Sequence, residues 1–411
     1  MYSLHSGLSL ISGCSESLVS VGTADVISSK LAQPRRQAKH VGSLAVEVPK
    51  AARIIALIPA HNEEEMILGS VQGLLKQSRC PTQVVVIADN CTDRTVAVLQ
   101  EAALKSVSVF ETTGNQDKKA GALNQYLSLL LPTLADDDVV LVQDADSILA
   151  SDFVANAFRH LDKDRRLGAV GGTFRAVQPG PQASIRERFL VHLQDNEYAR
   201  YARDVRRRRG KCLVVTGTAS MFRASTLRRI EHARTTGQLP AGDGSGGIYD
   251  TTVLTEDNEL SFAILTVGMK ILAPADCLLV TDAMTSWKDL WAQRLRWKRG
   301  AIENCFQYGL NRVTAGYWGR QLLSVTGISI TILYVGSLAW SFMVLGGVNI
   351  HGFWLALTGV FLLERFVTLK DKHLGQRFIA VTMYELPYDF FLQIVQARAY
   401  IDVLCKTERK W

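Results

Sequence analysis

A parallel α/β sheet is predicted by two features of this 411-residue chain, and a third adds a membrane region to it. Short runs rich in β-branched residues alternate with helix-length segments from residue 53 to 143, the pattern of right-handed βαβ units. Those runs are apolar throughout rather than alternating, as strands covered on both faces require. Finally, no Asp, Glu, Lys or Arg occurs from Gln321 to Leu363, which leaves room for two bilayer crossings at about 20 residues each.

The elements follow in order. RIIALIP (53–59) is a strand, with a helix from about Glu63 to Lys76 behind it. QVVVIAD (83–89) is the second strand, followed by a helix from about Arg94 to Leu104. SVSVF (106–110) precedes a helix near Ala120–Leu131, and VVLVQ closes the series before Asp144-Ala145-Asp146. Ligands of such sheets bind beyond the carboxyl ends of the strands. PAHNEEE, ADNCTDRT and DAD fall there, so three separate loops nominate one cleft. Beyond Ser151 the pattern loosens. GAVGGTF (168–174) reads as a strand, Gln182–Arg207 as a long helix, and LVVTGTASMFR (213–223) as strand-like ends around a glycine turn. TTGQLPAGDGSGG (235–247) is a flexible loop suited to a lid. A helix starts near Thr255, MKILAPADCLLVTD holds one or two strands, and a last helix spans Ser286–Tyr308.

Residues 51–310 are thus expected to form the working domain and 311–411 a membrane region. In that region a hairpin covers about 321–369, with GGVNIHG (346–352) as its turn. An interfacial or third membrane helix is expected over about 378–404. Arg312 and Arg320 on one side, and Arg365, Lys370 and Lys372 on the other, put both hairpin ends in the cytoplasm. The competing reading is a buried helical hairpin of a soluble protein. Residues 1–50, rich in Ser, Gly and Ala without a long apolar run, are expected to be a disordered or loosely packed extension and not a signal peptide. Seven cysteines without CxxC spacing suit reduced thiols in the cytosol.

The net charge of +7 and pI near 9.0 suit work beside anionic lipid headgroups, and equally nucleic-acid binding. A non-catalytic binder of membranes or nucleic acid would interleave its basic runs with exposed aromatics. The run in RDVRRRRGK (203–211) has none beside it, so nucleic acid is not expected as a partner.

The chemistry lies in the polar motifs. Asp144 and Asp146 stand at strand spacing, so their side chains share a direction in which a hard divalent cation could bridge them to a diphosphate. The alternative is a solvated loop ahead of a helix that Ser151 caps. Asp89 and Asp93 bracket a turn, either to meet a base or ribose or as an Asx-turn and a helix cap. Asn62, Glu63 and Glu64 fit a capped helix start with acids at its positive end. Lys118 and Lys119 precede a helix N-terminus, a phosphate-binding arrangement when not merely solvated. Glu256 and Asp257 follow a Gly-rich loop, with Thr255 as cap; one of the two acids suits a general base for a hydroxyl, or both are first-turn acids. Gln293, Arg296 and Trp297 share one helical face at i, i+3 and i+4. Two of them can bind diphosphate oxygens and the third can carry a sugar ring, unless the aromatic only marks a membrane interface.

In this order, PAHNEEE, ADNCTDRT, KAGALN, DAD, TED and QRLRW resemble an inverting family 2 glycosyltransferase of the membrane-bound branch. That branch holds cellulose synthase, hyaluronan synthase and poly-N-acetylglucosamine synthase. The resemblance implies a GT-A nucleotide-diphospho-sugar transferase fold with C-terminal transmembrane helices. It implies a nucleotide-sugar donor, UDP-sugar by the family's habit, held by Pro59, Asn62, Glu63, Asp89, Lys119, Asp144, Gln293 and Arg296. Asp144 and Asp146 would hold Mg²⁺ or Mn²⁺, and Asp257 would be the base with Glu256 beside it. Trp297, Gly217 and Thr218 would face the acceptor, a glycan, lipid or protein. The implied location is a multi-pass membrane protein with a cytoplasmic catalytic domain. Two features depart from the branch: ADNCTD replaces an acidic-Gly-Ser turn, and no membrane helix precedes the catalytic motifs in this sequence. The second departure favours transfer of one or a few sugars over polymer export, whereas QRLRW favours polymer growth.

Overall fold

The computed structural model describes residues 52–344, 346–347, 352–368, 374 and 384–409. The extension expected over 1–50, residues 348–351 of the expected hairpin turn and residues 378–383 lie outside the described residues.

The first four strands are where the sequence puts them: β1 (Ile54–Ala60), β2 (Gln83–Ala88), β3 (Val107–Glu111) and β4 (Val139–Gln143). They pair in parallel in the order β3-β2-β1-β4, with Leu57 opposite Val85 on one side and Val142 on the other. Alternate residues enter two cores. Ile55, Leu57, Val85, Ile87, Val140 and Val142 meet helices α3 (Lys118–Leu130), α6 (Ala224–Thr235) and α7 (Glu256–Thr266). Ile54, Ala56, Ile58, Val84, Val86, Val139 and Leu141 meet α1 (Ile67–Leu75) and α4 (Phe153–Lys163). Burial on both faces is why these strands carry no polar alternation. Helix α2 (Thr95–Ala102) links β2 to β3.

Beyond β4 the sheet turns mixed. Strand β8 (Ala219–Arg223) lies antiparallel to β4, with Gln143 opposite Ala219, and antiparallel also to β6 (Leu167–Gly171), which pairs in parallel with β9 (Lys270–Leu272). Only the second half of LVVTGTASMFR is therefore a strand. GAVGGTF is not one strand but two: β6 ends in the main sheet and β7 (Thr173–Ala176) belongs to a second sheet, β5-β10-β7, with β5 (Ser147–Leu149) and β10 (Leu278–Thr281). The crossing point is Gly172, where a Cβ would sit 2.5 Å from Leu279 and 2.8 Å from Phe153.

Helix α5 (Ile185–Arg207) starts three residues later than expected, because Ser184 and Glu187 form a reciprocal capping box there. Helix α1 likewise starts at Ile67 and not at Glu63, since the first-loop polar side chains bind the second loop instead. Helix α8 (Trp287–Tyr308) carries QRLRW. Among the described residues there follow α9 (Ala315–Val344), α10 (Gly352–Thr368) and α11 (Leu386–Leu404). Among the described residues only α9 is both long and apolar enough to cross a membrane, with a mean hydropathy of 1.8 over its best window, none of which is buried.

Candidate active site

A cleft of about 1150 Å³ opens at the carboxyl end of β4. It is lined by Lys119, Asp144, Asp146, Gly217, Thr218, Glu256, Asp257, Gln293, Arg296 and Trp297. Pro59, Asn62, Glu63 and Asp89 do not line it. The antiparallel run of β8 explains why Gly217 and Thr218 are here: the segment entering β8 lies where β4 leaves the sheet. The Asp144 N–H accordingly donates to the Thr218 carbonyl at 3.0 Å.

Asp257 is fixed by two backbone donors, Gly217 N–H to Oδ2 at 3.0 Å and Asn258 N–H to Oδ1 at 2.7 Å. Burial pushes its carboxyl up to about 6, the neighbouring Glu256 charge adds to this, and Lys119 and the two N–H donors oppose it. Thr255 does not cap α7 with its side chain. Its Oγ1 and carbonyl instead accept from Asn304 Nδ2, each at 3.2 Å, and the same amide reaches Asn258 Oδ1 at 3.0 Å. Helix α8 thereby holds the start of α7 in place.

Lys119, in the first turn of α3, joins the two acidic motifs. Its Nζ pairs with Asp144 Oδ1, lies 3.5 Å from Glu256 Oε1 and donates to the Gly217 carbonyl at 3.4 Å. Burial disfavours the ammonium, but Asp144, Glu256 and Asp257 outweigh it and hold the lysine charged. Asp146 accepts from Ser147 Oγ at 3.1 Å and Thr281 Oγ1 at 3.4 Å, so the second sheet sets its position. Burial raises the carboxyls of both aspartates; Asp146 adds to the effect at Asp144, and Asp282 at Asp146. Asp282, at the end of β10, lines the same cleft and was not singled out from sequence. The signal was available, since it is a carboxylate closing a strand just as DAD is.

Whether these residues suit a divalent ion is decided by charge and donor count. Like charges crowd on one loop, which a cation relieves. Among the described residues no three His, Cys, Asp or Glu side chains converge on an ion position. Two carboxylates are the donor set of an ion that shares its coordination with phosphate oxygens and water, as Mg²⁺ does.

The first two loops brace each other. Asn62, in the left-handed region at φ 56°, accepts from Thr92 N–H at 2.8 Å, and Asp93 Oδ1 accepts from Thr95 N–H at 2.9 Å. Asp89 Oδ1 accepts from Thr112 Oγ1 at 2.7 Å, Asn115 Nδ2 at 2.8 Å and Asn90 Nδ2 at 3.1 Å. Gly121 lets Asn115 approach, because a Cβ there would fall on Asn115 Oδ1. Glu63 stands in the field of the acidic group: burial, then Asp146, Asp144 and Asp282, push its carboxyl up to about 6.

On α8, Gln293, Arg296 and Trp297 face the cleft as their spacing requires. Arg296 donates to the Leu254 carbonyl at 3.4 Å. The cleft continues past Trp297 to Tyr317, Arg320, Gln321 and Ser324 of α9.

A mixed sheet with carboxylates at the β4 end, flanked by a smaller sheet, is a GT-A nucleotide-diphospho-sugar transferase fold. The mannosyltransferase PcManGT of Pyrobaculum calidifontis, solved with GDP-Man and Mn²⁺, has it too: 18% identity, a TM-score of 0.55, and 87% of this chain over 88% of that one. Residues 55–231 match the model of glycosyl transferase family 2, and they form a domain of that family. The chain is 26% identical over 260 residues to the probable glycosyltransferase YdaM of Bacillus subtilis, covering 62% of this chain and 56% of that protein. It is 24% identical over 303 residues to poly-beta-1,6-N-acetyl-D-glucosamine synthase of Staphylococcus aureus, covering 71% and 66%. The chain therefore spans roughly three-fifths of the length of these relatives.

Proposed function

We propose that the chain is a membrane-associated inverting glycosyltransferase that moves a sugar from a nucleotide-diphosphate donor, a UDP-sugar in the favoured case, to a hydroxyl acceptor. The observation that carries this reading is Asp257, a half-buried carboxylate held by the Gly217 N–H at 3.0 Å, in one cleft with Lys119, Asp144 and Trp297. A raised carboxyl with two fixed donors is a positioned base near its working range. Asp257 takes the proton of the acceptor hydroxyl as that oxygen attacks the anomeric carbon. The bond from this carbon to the donor diphosphate breaks from the opposite face, and its electron pair leaves with the diphosphate. One base is enough for inversion. Asp144 and Asp146 would hold Mg²⁺ or Mn²⁺, which when bound supplies positive charge to the diphosphate. Lys119, Gln293 and Arg296 orient the same group, and Trp297 offers its indole face to the acceptor sugar. Asp89 and Glu63, outside the cleft, are assigned to the donor's nucleoside end.

The reach of the cleft to α9 favours an acceptor or product handled at the bilayer, with the catalytic domain, residues 51–310, on the cytoplasmic side. Glycan growth and transfer of one or a few sugars to a lipid or protein differ in product length, which a radiolabelled donor measures. The decisive test is a donor screen on detergent-solubilised protein with Mn²⁺ or Mg²⁺, scoring nucleotide diphosphate release with a crude membrane acceptor. Asp257→Asn is expected to lower transfer about 10²–10⁴-fold while donor binding persists. Absence of release with every donor overturns the transferase reading, and wild-type transfer by that variant removes Asp257 as the base.

A further inference from the structure

Helix α11 lies beyond every motif assigned to sugar transfer, yet it reaches the motif helix through partly buried polar contacts. Tyr388, 1% exposed, donates its hydroxyl proton to Glu197 Oε2 at 2.6 Å. The same oxygen accepts from Arg294 Nη2 at 2.9 Å. Arg294 is fully buried, its guanidinium lies 4.4 Å from the Trp297 ring centroid, and its Nη1 donates to Gln293 Oε1 at 2.5 Å. Arg294 and Glu197 stand in the wall of the same cleft as Gln293, Arg296 and Trp297, and residues 294 and 297, three apart, share a helical face. Arg294 thus holds Trp297 and Gln293 from the side, at the buried edge of the cleft wall. A second tie anchors the start of α11, where buried Glu385 accepts from Asn196 Nδ2 at 2.7 Å and pairs with Arg200.

A buried ion pair is a poor source of net stability, because matched apolar residues do as well. What it supplies is geometry: a planar guanidinium both stacks on an indole and forks to two oxygens, which an ammonium cannot do. We propose that Tyr388, Glu197 and Arg294 are positioning residues for the acceptor platform, so that the C-terminal helix sets the orientation of Trp297 and Gln293. The identity of what Trp297 binds rests on the transferase reading; the coupling from Tyr388 to Trp297 does not.

The test uses the full chain in detergent, labelled with 5-fluorotryptophan. Loss of one ¹⁹F resonance in Trp297→Phe assigns that residue. In Tyr388→Phe, which keeps the ring and removes one hydroxyl, the Trp297 resonance is expected to shift or broaden while that of Trp318 stays. In the transfer assay the same variant is expected to raise the acceptor KM about tenfold. Arg294→Lys should reproduce this despite its retained charge, and Glu197→Gln, which keeps an acceptor oxygen, should be milder. An unchanged Trp297 resonance and acceptor KM in both Tyr388→Phe and Arg294→Lys overturn the proposal. If wild-type protein turns over no donor, the transferase reading fails and the fluorine spectrum still decides the coupling.

Discussion

The proposed reaction depends on Asp257 being kept both basic and still. Burial raises its carboxyl from 3.8 to about 6, with Glu256 adding to the effect. The base must be ionised to take a proton, so kcat/KM should fall about tenfold per pH unit below that value. An ordinary aspartate would hold activity some two units lower; a half-point near pH 4 would contradict the assignment. Gly217 matters for a steric reason. A Cβ there would lie 2.9 Å from Lys119 Nζ, so Gly217→Ala should displace the lysine and cut transfer about tenfold or more, with melting temperature nearly unchanged. At this scale the sequence was legible where chemistry is local: DAD, TED and QRLRW each announce themselves by spacing. Glu197 and Arg294 do not, because their meaning comes from a partner 97 residues away. Asn62 and Asp93 spend their side chains on joining two loops, and neither caps a helix as the plainer reading expects, since α1 and α2 begin at Ile67 and Thr95 without a side-chain cap.

Elements hold these residues in register. Strands β1 to β4 were legible because double-sided burial writes itself into every residue of a parallel strand. The direction of β8 was not, because it depends on α5, about 35 Å long at 1.5 Å per residue, and on where the chain re-enters the sheet. That reversal is what brings Gly217 and Thr218 beside Asp144, and no local pattern of residues 213–223 encodes it. Between α8 and α7 the link is Asn304, with no exposure and three acceptors. Asn304→Leu keeps the branched shape but removes the amide donor to Thr255 Oγ1 and Asn258 Oδ1, while the Thr255 carbonyl keeps the Glu259 N–H. It should lower unfolding free energy by about 1–3 kcal/mol, read by chemical denaturation, and reduce transfer further because Asp257 follows two residues after Thr255.

The molecule as a whole must place α9. Leu322, Leu323, Ile332, Leu333 and Phe342 are 65–72% exposed on this helix, and a water-soluble monomer rarely leaves so continuous an apolar surface uncovered. Thirty residues at 1.5 Å span about 45 Å, more than the hydrocarbon thickness of a bilayer, so one helix suffices to cross. The uncharged stretch 321–363 suggested two spans; among the described residues α9 alone meets the length and hydropathy of a crossing, and α10 is described over 17 residues. The charged residues near the cleft end of α9, Arg320 and Asp204, pair at 3.3 Å; with α9 across a bilayer, as proposed, they would set the headgroup level close to Ser324, where the cleft reaches α9. The expressed chain should therefore sediment with membranes and resist alkaline carbonate. Ile332→Arg with Leu333→Arg adds about 2.5–3.5 kcal/mol per charge near the helix centre and should move it into the carbonate-soluble fraction. Wild-type protein that stays in solution without detergent would mean that α9 is covered by protein instead of lipid, and the cleft would then open onto that partner.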